Sequence, residues 1–209
     1  YEIKECDWSS DVCSSDLLKQ KIGILGGTFN PIHLGHLNAA RVVRRFCELA
    51  GVLFIPAGDP YHKPAPGASA EDRVAMCELA VADEVDFLVS RVDVDRAGPT
   101  YTVDTLADLQ LAYPDEEFWL ILGADAFAGL HTWKQPPQII ELAKFAVMAR
   151  PGAAFVNPGV PPERLIVVET DLMDVSSSSI RERVRAGESI DGMVTPEVAQ
   201  YIERKRLYR

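Results

Sequence analysis

Short apolar runs alternate along this chain with longer segments in which apolar residues recur at helical spacing. Continuous runs of four to seven apolar residues are typical of strands that are buried on both faces. The runs that predict strands are residues 21–25, 52–56, 87–90, 117–123, 144–149 and 164–168, with 92–94 as a further candidate.

Between these runs the apolar spacing, together with start and stop signals, predicts helices. Ser69 is placed to cap one helix, Pro114 and Gly187 end two others, and Thr195-Pro196 opens the last with a cap and a first-turn proline. The predicted helices cover residues 37–49, 70–82, 102–113, 136–142 and 180–186, followed by the one that begins at Thr195.

Alternation of short strands with helices predicts an α/β protein. We expect a Rossmann-like, open and mostly parallel sheet with helices on both faces and a small C-terminal helical part, formed by residues 19–209 as a single domain. Ligands of such sheets bind at the carboxyl ends of the strands. Gly26-Gly27, the Pro-rich and Gly-rich loop 56–64 and Gly123-Ala124-Asp125 all fall at those ends.

Residues 1–18 differ from the rest of the chain because they show no clear period, and the chain does not begin with methionine. We interpret them as a non-native flank or a sequence artefact and leave them out of the fold prediction. The alternative is a genuine disordered arm at the N-terminus.

Composition narrows the class of protein. Hydrophobic residues make up 47%, enough for a packed core, and no apolar run approaches the roughly 20 residues that span a bilayer, so no membrane association is expected. The net charge of −10 argues against broad binding to nucleic acid. The four cysteines form no CxxC pair and no signal peptide is visible, which predicts free thiols and a cytoplasmic location.

The densest group of chemically informative residues follows the first predicted strand and runs from Gly26 to His36 with the sequence GGTFNPIHLGH. Two glycines permit close backbone approach, and Asn30-Pro31 predicts a helix start. A strand, a glycine turn and a helix start present backbone N–H groups to a phosphate. His33 and His36, three residues apart, would share a helix face and point toward that anion.

Other interpretations of this segment are weaker. Two structural histidines at a helix start are one alternative. A zinc site is disfavoured because no further cysteine or histidine lies at ligand spacing, and a Walker loop is excluded because its lysine and Ser/Thr are missing.

The segment resembles the GGTFxPxHxGH signature of the HxGH nucleotidyltransferases and, more narrowly, the bacterial nicotinate-nucleotide adenylyltransferase family. The resemblance covers about residues 20–209. A second segment, SSSSIR at 176–181, resembles the family's SSTxIR element, with Ser178 in place of the usual threonine. Serines before a helix supply caps and N–H donors, and Arg181 offers a planar cation for phosphate.

Three further segments match the family. The resemblance implies that Lys63 in the proline-rich loop faces the triphosphate and that the segment around Tyr101 contributes to the pyridine nucleotide site. In the GAD…W element, it implies that Asp125 holds a ribose hydroxyl and that Trp133 stacks on the pyridine ring.

The resemblance implies a nucleotidyltransferase of NAD biosynthesis, in which the 5′-phosphate of nicotinate mononucleotide attacks the α-phosphorus of ATP and pyrophosphate leaves. Mg²⁺ is expected with ATP, with no metal site of the protein's own, and a homo-oligomer is possible. The expected catalytic residues are His33, His36, Lys63 and Arg181. The expected nucleotide-binding residues are Gly26, Gly27, Thr28, Phe29, Gly123, Asp125, Ser177, Ser178 and Ile180, and the expected acceptor-binding residues are Thr100, Tyr101, Thr102 and Trp133.

Two rival functions stay open at this point. One is adenylyl or cytidylyl transfer to another phosphorylated acceptor, such as nicotinamide mononucleotide, phosphopantetheine or glycerol phosphate. The other is a nucleotide-binding module without catalysis, which the presence of both histidines and Arg181 disfavours.

Overall fold

A single six-stranded sheet organises the protein, which we describe from a computed structural model covering residues 19–58, 67–152, 154–171 and 173–209. All strand pairs are parallel and the order is β3-β2-β1-β4-β5-β6. The strands are β1 (Lys21–Gly27), β2 (Gly51–Pro56), β3 (Phe87–Val89), β4 (Glu117–Gly123), β5 (Lys144–Ala149) and β6 (Leu165–Glu169).

Helices cover both faces of this sheet. They are α1 (Leu34–Cys47), α2 (Ala70–Val81), α3 (Val92–Asp95), α4 (Thr102–Ala112), α5 (Ala124–Ala128), α6 (Pro136–Leu142), α7 (Ser177–Ala186) and α8 (Pro196–Lys205). Two 3₁₀ turns occupy Gly129–Thr132 and Pro162–Arg164.

Two hydrophobic cores separate the layers. On one face α1, α2, α7 and α8 pack on the sheet, with Leu37 and Met76 almost fully buried. On the other face α4, α5 and α6 do so, with Leu106 and Phe127 buried. Because both faces are covered, every residue of β2 is buried, which explains why the strands are continuous apolar runs without polar alternation.

The strand order places β1 at the point where the chain changes its direction of winding. Ile24 of β1 pairs with Leu53 of β2 on one side and with Leu120 of β4 on the other. The crevice beyond the carboxyl ends of β1 and β4 is therefore the topological switch point, where ligands of open α/β sheets bind.

The predicted fold class is confirmed. Local signals also placed several element ends correctly. The Ser69 hydroxyl accepts from the Asp72 amide at 3.0 Å, the Thr195 side chain accepts from the Val198 amide, and Gly187 ends α7 with φ 71°.

Two sequence predictions were wrong. Residues 92–94 form the helical turn α3 instead of a strand. Asn30 does not cap α1, which begins at Leu34 with His33 as its cap, because Phe29 adopts a left-handed φ of 47° and the chain turns once more before the helix starts. The short helix α5 directly after β4 was not predicted.

Some predictions lie outside the described residues, namely the flank 1–18 and most of the loop 56–64, including Lys63. Within the described ranges, no helix is long and apolar enough to cross a membrane. Both cysteines of those ranges, Cys47 and Cys77, are buried free thiols.

Candidate functional site

A cavity of about 270 Å³ opens at the carboxyl ends of β1, β2 and β4, at the switch point. Six residues that the sequence singled out line it: Gly26, Gly27, Thr28, Thr100, Thr102 and Trp133. Its apolar walls come from strand and helix residues that also belong to the core, such as Ile24 and Leu106. An apolar cleft with a few polar groups converging on it has the character of a small-molecule site.

We call the segment 26–33 the glycine loop, and its first three residues, Gly26, Gly27 and Thr28, form one side of this cavity. A Cβ at Gly26 would meet nothing within 4 Å, so the open space beside its backbone is available to a ligand. At Gly27 a Cβ would come within 3.2 Å of the Phe29 ring. Phe29 itself is buried, and its ring packs edge-on against His36 with centroids 5.0 Å apart. The Phe29 side chain therefore packs between the glycine loop and the start of α1.

His33 and His36 stack on each other at the start of α1, with ring centroids 3.6 Å apart. The His33 backbone N–H donates to Nδ1 of His36 at 3.2 Å. Since that nitrogen accepts a hydrogen bond, a neutral His36 carries its proton on Nε2 and can donate it. Gly35 makes the arrangement possible, because a Cβ there would lie 3.0 Å from Nδ1 of His33.

Burial lowers the pKa of His33 to about 4. The side chain is 9% exposed, and its Nδ1 is buried without a hydrogen-bond partner among the described groups. At neutral pH His33 is therefore uncharged, so it can act toward an anion as a neutral hydrogen-bond donor.

Residues from the C-terminal part of the chain hold the glycine loop in place. Arg181 donates through Nη1 to the Asn30 carbonyl at 2.8 Å, and the Ser177 hydroxyl donates to the Pro31 carbonyl at 2.8 Å. The Tyr208 hydroxyl donates to Oδ1 of Asn30 at 2.8 Å. These contacts bring the two motifs of the sequence together, although they lie about 150 residues apart.

The start of α7 lies beside this loop. Ser176 caps the helix by accepting from the Ser179 amide at 3.1 Å, and Ser178 accepts from Nη2 of Arg181. The side chain of Ile180 is fully buried and contributes to the core. Its backbone amide donates to the Ser176 carbonyl within the first turn of α7. Arg181 is half-buried and has further N–H donors beyond the two bonds that it makes here.

Arg73, which the sequence analysis missed, joins the glycine loop to the chain after β2. It is 1% exposed and donates to the Thr28 carbonyl through Nη1 and to the Gly58 carbonyl through Nη2, both at 2.9 Å. The Gly58 amide in turn donates to Oγ1 of Thr100, a residue that lines the cavity. A charged residue on an amphipathic helix is usually exposed, so the sequence carried no signal of this role.

A buried carboxylate forms another part of the wall that the sequence analysis missed. Asp93 accepts from the Thr105 hydroxyl at 2.6 Å and from Nη1 of Arg96 at 2.8 Å. Burial raises its pKa, and these two hydrogen bonds act in the opposite direction. Asp93 and Thr105 both line the cavity.

The residues predicted at the end of β4 are spread more widely. Trp133 is half-buried and lines the cavity, whereas Asp125 is exposed on α5. Gly123, the last residue of β4, would meet nothing within 4 Å with a Cβ added. Tyr101 packs beside the second core, with Nζ of Lys134 4.4 Å from the centre of its ring.

Metal ligation by the protein is not apparent in the described parts of the chain, where no three His, Cys, Asp or Glu side chains lie close enough to hold an ion together. The donor set that the site does offer, imidazole and guanidinium N–H groups, suits phosphate oxygens better than a hard cation.

Comparison with known proteins gives one family and many relatives. Residues 24–183 match the family model described as Cytidylyltransferase-like. A protein of Saccharopolyspora erythraea named "Probable nicotinate-nucleotide adenylyltransferase" is 44% identical over 192 residues, covering 91% of each chain. A protein of Streptomyces coelicolor with the same name is 42% identical over 186 residues, covering 88% of this chain and 99% of its own.

Solved structures agree on the fold. The nicotinic acid mononucleotide adenylyltransferase of Plasmodium falciparum, complexed with NaAD, superposes with a TM-score of 0.75 at 16% identity, covering 90% of this chain and 97% of its own. The same protein complexed with APC gives a TM-score of 0.73. With relatives above 40% identity along about nine-tenths of its length, this chain belongs to the nicotinate-nucleotide adenylyltransferases, within the cytidylyltransferase-like family.

Proposed function

We propose that this protein transfers the adenylyl group of ATP to the 5′-phosphate of nicotinate mononucleotide and releases pyrophosphate. The observation that carries the proposal is the stacked pair His33 and His36 at the end of the glycine loop, a loop whose Gly26 backbone is open and whose Asn30 carbonyl accepts from Arg181. Neutral and cationic N–H groups thus belong to or contact one loop, and donors of both kinds suit the oxygens of a triphosphate.

The reaction is a substitution at phosphorus. A phosphate oxygen of the mononucleotide forms a bond to the α-phosphorus, and the bond from that phosphorus to the bridging oxygen breaks, so that pyrophosphate leaves with the electron pair. The attacking phosphate has a second pKa near 6, by analogy with phosphorylated side chains, and is largely ionised at neutral pH. No strong general base is needed, and catalysis rests on alignment and charge stabilisation.

The chain's own residues divide this work. His33 and His36 donate from the start of α1 to phosphate oxygens, and Arg181 supplies a fixed positive charge across the glycine loop. We propose Lys63 as a second cation on the triphosphate, from the loop after β2. Electrostatic stabilisation of this kind typically contributes about 10²–10³ in rate for each donor.

Mg²⁺ enters this proposal as part of the substrate, bound to the phosphates of ATP. Such complexes are held by phosphates and water with few protein ligands. The donor-rich, carboxylate-poor glycine loop fits a metal that arrives with the triphosphate.

The acceptor is proposed to occupy the cavity between the glycine loop and α4. Trp133 offers an aromatic face for the pyridine ring, and Thr100 and Thr102 offer hydroxyl and backbone groups. An exposed Asp125 beyond β4 is proposed to accept from a ribose hydroxyl.

Pyrophosphate release with ATP and Mg²⁺ tests this function, with nicotinate mononucleotide and nicotinamide mononucleotide compared side by side. A strong preference for the acid is expected. Equal or reversed preference would support adenylyl transfer but with a different acceptor. Absence of pyrophosphate release with both mononucleotides would refute the proposal. A cytoplasmic location stays a prediction that cell fractionation can test. The oligomeric state stays open, and light scattering can determine it.

A further inference from the structure

We infer that Arg73 is a positioning residue: it bonds to the backbone of the glycine loop and of the chain after β2, and so fixes the distance between these two sides of the cavity. The inference rests on the proposed function for its kinetic consequences. Arg73 does not line the cavity, so it acts through the residues that do.

The geometry of Arg73 explains why it can do this. Its guanidinium is planar, and two of its nitrogens reach carbonyl oxygens on different loops, Thr28 and Gly58, at 2.9 Å each. A planar fork with two occupied donors fixes the separation of the two acceptors more tightly than a single bond does. No carboxylate pairs with Arg73 in the part of the chain that the structure describes, so its described bonds go to backbone.

Burial of the Arg73 guanidinium costs free energy of hydration, so its presence here calls for a compensating role. A guanidinium that is 1% exposed has lost its hydration, and its Nε is buried without a partner among the described groups. An apolar side chain would fill a site on the buried face of α2 at lower cost, as Met76 and Cys77 do. The bonds to the two loops are what Arg73 adds over such a residue.

A chain of contacts leads from Arg73 to both halves of the cavity. On one side it holds Thr28, which lines the cavity within the glycine loop. On the other side it holds Gly58, whose amide donates to Oγ1 of Thr100 at 3.1 Å. Gly58 has little freedom to compensate for a lost bond, because its Cα lies against α3, where a Cβ would come 2.2 Å from the Asp93 carbonyl oxygen.

Kinetics of Arg73→Met and Arg73→Lys test this inference against Met76→Ala, a matched control that shortens a buried side chain on the same helix and removes no hydrogen bond to the Thr28 or Gly58 carbonyl. Displacement of positioned groups by about an ångström can cost up to about 100-fold in rate. We expect kcat/KM to fall about 10- to 100-fold for Arg73→Met and by less for Arg73→Lys, which keeps one donor in reach. Met76→Ala should stay within about twofold at a temperature at which all variants are folded.

A double-mutant cycle with Thr100→Val separates positioning from general loss of packing. If Arg73 acts on the acceptor pocket through Gly58 and Thr100, the KM for the mononucleotide rises in Arg73→Lys, and adding Thr100→Val raises it by less than the product of the two single effects. Independent effects would multiply, and that result would overturn the inference.

Hydrogen exchange gives a readout that needs no activity. In Arg73→Lys, amides of the glycine loop and of residues 57–58 should exchange faster, while β4 and β5 exchange as in the wild type. Unchanged exchange in both loops, or equal falls in kcat/KM for Arg73→Met and Met76→Ala, would refute the positioning role. If the wild type itself released no pyrophosphate, the proposed function would fail while the exchange comparison still decided the role of Arg73.

Discussion

The two sides of the candidate site are held in different ways. The glycine loop receives hydrogen bonds from four side chains that lie 45 to 178 residues away in sequence, namely those of Arg73, Ser177, Arg181 and Tyr208. The segment after β4 relies on local bonds, such as those of His131 to Ala128 and of Thr132 to Gly129, each spanning three residues. Lys134 adds a longer contact, an exposed ion pair with Asp104.

This difference matches the two roles proposed for the site, phosphoryl transfer on the glycine-loop side and acceptor recognition on the β4 side. Phosphoryl chemistry needs donors placed to within a fraction of an ångström, and a loop held by several distant partners provides that. Recognition of a ring and a ribose tolerates adjustment, and locally held elements can shift without disturbing the rest of the site. Substitutions on the glycine-loop side should therefore lower turnover or stability more than matched substitutions on the β4 side.

The largest effect is expected for His36→Ala. The change removes a donor that stacks on His33, and loss of one such group costs about 10²–10³ in kcat. Steady-state kinetics with ATP and nicotinate mononucleotide measure it, with circular dichroism to show that the fold is intact. Phe46→Ala, an exposed position on the same helix, is the matched control. A turnover close to wild type for His36→Ala would eliminate the proposed role.

The same substitution, glycine to alanine, can be compared at Gly58 and at Gly129 by its effect on the free energy of unfolding. A methyl at Gly58 would lie 2.2 Å from the Asp93 carbonyl oxygen, so the loop must move, at a cost of about 1–3 kcal/mol in the free energy of unfolding. At Gly129, after α5, the methyl meets nothing within 4 Å and φ is −80°. Urea denaturation should show a loss for the first and little change for the second. Equal losses would show that the chain after β2, to which Arg73 ties the glycine loop, is no more tightly packed than the segment after β4.

The pH dependence of stability tests the burial of His33. Its pKa is about 4 in the folded protein and near 6.5 in the unfolded chain. As pH falls from about 6.5 to about 4, the unfolded chain binds a proton that the folded protein does not, so stability decreases over that window. Between pH 7 and pH 5 this contributes a loss of about 2 kcal/mol. His33→Gln should reduce the loss measured by urea denaturation, because glutamine does not titrate, and an unchanged pH dependence would show that His33 is not buried in this way.

The smallest effect is expected for Tyr208→Phe, compared with Tyr201→Phe. The first removes a hydrogen bond to Asn30 in the glycine loop, and the second removes one of similar length to Asp72 on α2. Each should cost about 1 kcal/mol in the free energy of unfolding. Only Tyr208→Phe should also reduce kcat, by a few-fold. If both variants kept wild-type turnover, the bond from Tyr208 would not contribute to the geometry of the loop.

Local patterns predicted much of the fold, and the reason lies in particular elements. β2 and β4 are continuous apolar runs because helices cover both faces, and Ser69, Thr195 and Gly187 act through neighbours within a few residues. Residues 92–94 were misassigned because Val-Asp-Val alternates like a strand, while Asp93 is held by Thr105 and Arg96 in a helical turn.

The site was predicted in part for the same reason. The glycine loop and the segment SSSSIR at 176–181 each carry their chemistry in adjacent residues, so the sequence indicated both. Their junction could not be seen, since the bond from Ser177 to Pro31 spans 146 residues. Arg73 and Asp93 gave no signal because a charged side chain is ordinarily exposed, and only the three-dimensional packing buries these two.

The long sequence separations within the glycine loop's contacts also set an order of events during synthesis. Residues 26–33 are translated before α2, α7 and Tyr208, yet their carbonyl groups and the Asn30 side chain find their partners only in those later segments. Closing such long intervals costs chain entropy that short-range contacts do not. The bonds that hold the glycine loop can therefore be complete only after Tyr208 has been made, and an incomplete chain carries the histidines without all the contacts that position them.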